Sequence, residues 1–282
     1  MENNKNLVYH YCSIEALVNI IRTSSIWLSD YRKMNDFAEE KWVKDKVNNK
    51  IREALISRDK KACEIWDKYY DQDTLRTGTF FVGCFSEDSD DLTQWTRYAD
   101  DGRGVAIGFS KEQLSKLNDC FGLVFSKIVY NEKEKDKFVN KITKEIMSKF
   151  NSKSVMHVAI EFFQDYTLQF LKYKNPGFYS EKEWRVVHYS SPAHQGVSYH
   201  DKFQFLKPEF RVSKNRIVSY IPLSFSEIKQ DIIKEIHLGP SSKVTINDIL
   251  NLLNAYGYYE NISFNDKEPI TIIKSKSTYQ SY

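Results

Sequence analysis

An α+β domain is the fold class this sequence predicts, and three observations carry that expectation. The run TFFVGCFSE, apolar and rich in aromatic and small residues, has the composition of a central strand. SIEALVNII and VTINDILNLLNAYG space their apolar residues as amphipathic helices do. Between Asn131 and Lys174 the composition turns to helix formers, with strand-like stretches on both sides.

Taken in order, Leu7 to Tyr11 forms a strand. Ser13 then caps a helix that carries Ile14, Leu17, Val18 and Ile21 on one face, because a hydroxyl before a helix satisfies free amides. SIWLSD is a short extended segment, and a long charged helix follows over about 36–70. After TFFVGCFSE, the stretch DDLTQWTRYAD makes a helical turn and GRGVAIGFS a strand. EKEKDKFVNKITKEIMSKF carries opposite charges at helical spacing, the mark of a solvated face, whereas SVMHVAIEFFQDYTLQFLKY packs on the body. NPG breaks that helix and EKEWRVVHY opens a strand. RIVSYIPL, IKEIHLGP and ITIIKSKST are further strands, with a helix ending on Gly257 between the last two.

A length of 282 residues suits one elaborated domain over 1–282, with helical insertions at about 36–70 and 131–174. Hydrophobic residues at 41% and charged residues at 28% fit a globular chain with a sizeable core, so disorder is excluded. A net charge of +3 provides no strong field toward nucleic acid or anionic lipid. Cys12, Cys63, Cys84 and Cys120 are far apart and form no CxxC pair, which argues against a disulfide framework and a zinc site. With no segment near 18 apolar residues and no leader-like start in MENNKNLVYHY, the expectation is a cytoplasmic protein that engages no membrane.

Most familiar chemistries are excluded by missing motifs: there is no GxxxxGKS or GxxxxGKT, HExxH, GxSxG or DxDxDG loop. GRGVAIG has GxGxxxG spacing and leads into a strand, so it is no dinucleotide loop. The six histidines never stand at the i, i+4 spacing of a helical metal pair, and His188, His194 and His200 recur across a turn-rich stretch. No metal is expected.

Two stretches remain. His10 ends a strand, where a ring N–H can meet a ligand while the other nitrogen is held by backbone; taken alone, a partly buried histidine bonded to a neighbouring turn is the more ordinary reading. Glu181 and Glu183 are separated by one residue, so an extended segment points both carboxylates, and Arg185 after them, to one side. Such a cluster marks either a solvent edge or a site where positive charge develops.

The blocks YHYCSIEALVNIIRTSSIWLSDYRKMNDFAEE, FVGCFSEDSDDLTQWTRYADDGRGVAIGF, YSEKEWRVV and IKEIHLGP resemble the bacterial family known as domain of unknown function 2971, over residues 7 to about 277. That family more distantly resembles the ADP-ribosyltransferase fold of the His-Tyr-Glu type, a split β-sheet core with peripheral helices that clasps NAD. His10, Ser13 and Asn19-Ile20-Ile21 follow the order of the first block of those enzymes, with Tyr11 where a glycine is common. Trp95 or Tyr98 matches the aromatic that stacks on nicotinamide, and Cys84 stands where the strand tyrosine is usual. Glu183 matches the catalytic glutamate and Glu181 the residue two before it, which positions the acceptor.

The resemblance implies an NAD-dependent ADP-ribosyltransferase acting on a protein or nucleic acid, as a toxin or phage-defence effector that an inhibitor or antitoxin protein restrains. NAD is then the co-substrate, bound through His10, Tyr11, Ser13, Trp95, Tyr98 and Arg185, with Arg97 and Arg22 as further partners for the pyrophosphate. Glu183 and His10 are the catalytic pair: a carboxylate at the ribose stabilises the oxocarbenium-like charge that forms as the nicotinamide bond breaks. The alternatives are an NAD glycohydrolase, which uses the same residues with water as acceptor, and a catalytically silent nucleotide or nucleic-acid binding module, favoured by loss of the strand tyrosine.

Overall fold

A computed structural model describes residues 5–33, 38–70, 78–190, 206–213, 215–258 and 269–280. Along these residues the chain forms β1 (Leu7–Cys12), α1 (Ile14–Thr23), β2 (Ser25–Asp30), α2 (Ala38–Arg58), α3 (Lys60–Tyr70), β3 (Thr79–Ser86), α4 (Leu92–Tyr98), β4 (Val105–Ser110), α5 (Lys111–Phe121), β5 (Val124–Lys127), α6 (Glu132–Lys149), α7 (Val155–Phe170), β6 (Glu183–Ser190), β7 (Glu209–Ser213), β8 (Arg216–Ser224), α8 (Lys229–Ile232), β9 (Ile233–Leu238), α9 (Ile246–Ala255) and β10 (Thr271–Lys274). The mixed α+β class agrees with the sequence.

Helix starts follow local chemistry. Ser13 accepts from Ala16 N, Asp91 from Gln94 N, Ser154 from His157 N, and Thr245 with Asp248 closes a capping box on α9. The expected single helix over 36–70 is two helices, because Asp59 accepts from Lys61 N and Ala62 N and so restarts the turn. Four elements escaped the sequence reading: α5, β5, β7 and the short α8. For α5 the signals were present, since Ser110 caps it, Leu114 and Leu117 bury its inner face, and Gly122 ends it at φ 61.

The ten strands share one hydrogen-bonded, mixed sheet, in the order β10-β9-β4-β1-β3-β2-β8-β7, with β6 on β3 and β5 on β6. β9 and β10 are parallel and the other strand pairs antiparallel. The branch at β3 shapes the molecule. β6 occupies one edge of β3 along all eight residues, so β1 and β2 divide the other edge. Tyr9 pairs with Ser86 at one end, and Ser29 and Asp30 pair with Val82 and Phe81 at the other. Between these contacts β1 and β2 splay apart beside Gly83, Cys84 and Phe85. An added Cβ at Gly83 would stand 2.8 Å from Leu28 Cδ2, so the Leu28 side chain would have to shift.

The main core joins the sheet to α1, α5 and α9 through Val8, Leu17, Ile107, Leu114, Ile236 and Leu253. A second core, with Trp66, Ile142 and Phe162 among its members, is shared by α2, α3, α6 and α7. A small cluster of Tyr31, Phe80, Val82, Leu171 and Val187 connects the end of α7 to the back of the split. No helix among the described residues is long and apolar enough to cross a membrane.

Candidate functional site

A cavity of about 410 Å³ opens where β1 and β2 diverge, within the size range of small-molecule sites. Strand β3 contributes Val82 to Phe85, β1 contributes Tyr9, His10 and Tyr11, and Glu183 and Arg185 enter from β6. Among the described residues, Lys33, Lys174, Arg185 and Arg211 line it against Glu181 and Glu183, an excess of two positive charges that favours an anionic ligand.

His10 Nδ1 lies 3.0 Å from the Cys84 carbonyl, in the gap where strand pairing passes from β2 to β1. Burial lowers the ring's pKa, partly opposed by this bond, so the imidazole is neutral near pH 7. A carbonyl only accepts, so Nδ1 carries the proton and Nε2 is left as an acceptor. The expectation that His10 donates to a ligand is therefore reversed: a ligand hydroxyl or amide donates to it.

Glu183 is buried and held from three sides. Arg185 Nε reaches Oε1 at 2.7 Å and Nη2 reaches Oε2 at 3.0 Å, a fork geometry, and Lys174 Nζ adds a bond of 3.0 Å to Oε2. Its backbone amide donates to Tyr130. Burial works to raise its carboxyl pKa, but Arg185 and Lys174 overcome this and hold it at about 2, an anion at any physiological pH.

Glu181 and Glu183 do not lie together on an extended segment, as their spacing had predicted. Glu181 ends the 3₁₀ turn Pro176–Glu181, Lys182 takes a left-handed conformation at φ 44, and β6 starts at Glu183. The two carboxylates converge instead through Lys174, which bonds Glu181 at 2.6 Å. The other Glu181 oxygen has longer contacts, 3.4 Å to Arg97 and 3.4 Å to the Tyr98 hydroxyl. Tyr98 is 42% exposed, and partial burial beside Glu181 pushes its hydroxyl up to about 12, so it remains a donor. Cys84 stays a thiol, raised first by burial and then by the Glu183 carboxylate it bonds. It is therefore no nucleophile.

Several expected site residues fall elsewhere. Trp95 is fully buried, donates to Asp90 at 2.7 Å and packs edge-on against Tyr11. It is core, and of the two candidate stacking rings only Tyr98 faces the cavity. Ser13 is committed to capping α1. Arg22 bonds Asn19 on the exposed side of α1, and neither residue lines the cavity. Tyr11 lines it through its ring, while its hydroxyl donates to Asp88 O and accepts from Asp91 N, pinning the loop before α4. Arg185 is spent on Glu183 and the Leu171 carbonyl, so it has little to offer a pyrophosphate.

His188 sits inside β6, buried, and its pKa is lowered to about 4 by burial. His194 and His200 lie outside the described residues, among which no group of metal-ligating side chains is found. Lys174, Trp27 and Arg211 were missed. Each is a lone residue in a segment whose role is set by folding: Lys174 stands at the end of LQFLKYKNPG, where a lysine reads as solvent-facing.

The comparisons with known proteins agree with part of the resemblance. A family model described as "Protein of unknown function (DUF2971)" matches residues 94–186, about a third of the chain. The match takes in Tyr98, Lys174, Glu181, Glu183 and Arg185; the block that holds His10 lies outside it. No curated protein and no solved structure matches the chain significantly. Over its middle third, from α4 into β6, the chain is similar to that family of unknown function.

Proposed function

We propose that this protein is an NAD-consuming ADP-ribosyltransferase whose reaction takes place in the cavity between β1 and β2. The observation that carries the reading is the meeting of distant residues at one strand: His10 bonds the Cys84 backbone and Glu183 bonds the Cys84 thiol, with Glu181 and Tyr98 beside them. The excess of positive charge in the cavity suits a dinucleotide.

In this reading the bond between nicotinamide nitrogen and ribose C1′ breaks with its electron pair leaving on nicotinamide. An acceptor nucleophile forms the new bond to C1′ and gives up its proton. Glu183, fixed as an anion by Arg185 and Lys174, stabilises the positive charge that develops on the ribose. Glu181, whose Oε1 has two longer contacts, takes the acceptor's proton. His10 Nε2 accepts from the ribose or the carboxamide, and the Tyr98 ring holds nicotinamide flat.

A second reading, a catalytically silent nucleotide-binding module, is favoured by one observation: both Glu183 oxygens are already engaged by cations, which weakens the field it can direct at a ribose. Incubation with labelled NAD and cell extract, followed by separate protease and nuclease digestion, decides between them. Label bound to macromolecule supports the transferase and names the acceptor class. Free ADP-ribose alone makes it a glycohydrolase, and absence of nicotinamide release with every acceptor leaves the silent module.

A further inference from the structure

The cavity is electrically uneven. Beside β6, Lys174 and Arg185 are matched by Glu181 and Glu183 at hydrogen-bond distance. Across the split, where β2, β8 and β7 form the wall, Lys33 and Arg211 line the cavity with no such partner among the described residues. The nearby carboxylates are committed: Asp30 pairs with Arg32 at 2.7 Å and accepts from Ser219, and Glu209 accepts from Tyr220 at 2.7 Å. Neither lines the cavity.

Strand register builds this wall. Arg211 lies opposite Val218, and Trp27 opposite Pro222 on the other edge of β8. The Arg211 guanidinium stands over the Trp27 ring, 5.3 Å from its centroid, and Tyr220 packs on Trp27 at 4.4 Å with a 34° tilt. Arg211 Nε is buried and has no hydrogen-bond partner among the described residues. Buried N–H groups are almost always satisfied. A guanidinium held over an aromatic ring is restrained in position while its fork of N–H donors still suits an oxyanion that accepts two of them at once.

We propose that Arg211, oriented by Trp27 and assisted by Lys33, binds the diphosphate of the nucleotide ligand at the wall opposite the glutamate cluster. This rests on the nucleotide reading of the same cavity, and it replaces Arg185, Arg97 and Arg22 in that role. Arg185 and Arg97 are held by Glu183 and Glu181, and Arg22 lies off the cavity.

The test is calorimetric titration of the full chain with ADP and with adenosine, for wild type, Arg211→Gln, Arg211→Lys and Lys33→Gln, with folding checked by thermal melting and nicotinamide release followed in parallel. Losing a charge-assisted donor pair should weaken ADP binding roughly 10- to 100-fold in Arg211→Gln. Adenosine binding should be nearly unchanged, and Arg211→Lys should recover part of the loss. Should Arg211→Gln fail to fold, Lys33→Gln, altered at an exposed side chain, should still weaken ADP by about threefold or more and steepen no salt dependence. Equal ADP affinity in wild type and the folded variants, equal losses for ADP and adenosine, or no ADP binding by wild type would overturn the proposal. Nicotinamide release by wild type with Arg211-independent ADP binding sinks the diphosphate site and spares the transferase. Arg211-dependent ADP binding without any nicotinamide release does the reverse.

Discussion

Lys174 Nζ lies 3.0 Å from Glu183 Oε2, so a cation from the segment after α7 neutralises a carboxylate at the first residue of β6. Both side chains are buried, and the same ammonium bonds Glu181. The cluster is thus a structural joint as well as the chemical centre of the cavity.

Lys174→Met should leave two buried carboxylates short of a cation. Breaking a buried pair on one side commonly destabilises by about 3 to 5 kcal/mol. Urea unfolding of Lys174→Met, Glu181→Gln and the double variant checks this. The double variant should be less destabilised than the sum of the two singles, by roughly 0.5 to 3 kcal/mol, because the groups share one network. Strict additivity would show that the ammonium does not couple to Glu181.

Glu183→Gln should lower nicotinamide release by about 10²- to 10³-fold while NAD affinity changes little, since the charge is needed only as the glycosidic bond breaks. It should also melt earlier than wild type, because Arg185 and Lys174 lose their shared anion. Release at the wild-type rate from a folded variant would remove Glu183 from the mechanism.

Trp95 and Tyr98, three residues apart on α4, should respond in opposite ways. Trp95→Ala empties a fully buried ring site and should destabilise by roughly 3 to 5 kcal/mol. Tyr98→Ala removes a half-exposed ring and should weaken NAD binding with little change in melting temperature. Thermal melting and NAD titration of both variants separate packing from binding.

Stability should fall with acid in two stages. The folded His188 pKa of about 4 lies below its ordinary 6.5, so the unfolded chain takes up more protons in that window. The contribution is complete above about 6.5 and is lost as pH falls to about 4. Glu183, held at about 2 against an ordinary 4.5, stabilises fully above 4.5 and loses its contribution as pH falls toward 2. Urea midpoints across this range should show both slopes. His188→Asn should flatten the upper one, worth roughly 3 kcal/mol from pKa arithmetic; an unchanged slope would place the proton uptake elsewhere, with His10, also lowered by burial, as the next residue to replace.

What the sequence determined by itself was local. Apolar periodicity, residue composition and the Ser13 cap located α1, α4, β1, β3 and β6, because these signals act between residues a few positions apart. His10, Tyr98, Glu181 and Glu183 were legible as polar groups at the ends of such elements. The tertiary structure alone decided how they act. Trp95 and Tyr98 share one helix, and only docking of α4 on β1 buries the first and leaves the second open. The proton position on His10 follows from a carbonyl on β3, and the state of Glu183 from cations on β6 and beyond α7. The Arg211 wall depends on β8 pairing with β2, from Ser25 with Ser224 to Ser29 with Tyr220, and on β7 pairing with β8 beside it. Burial and charge partners are properties of neighbours in space, and long-range strand pairing is what supplies them.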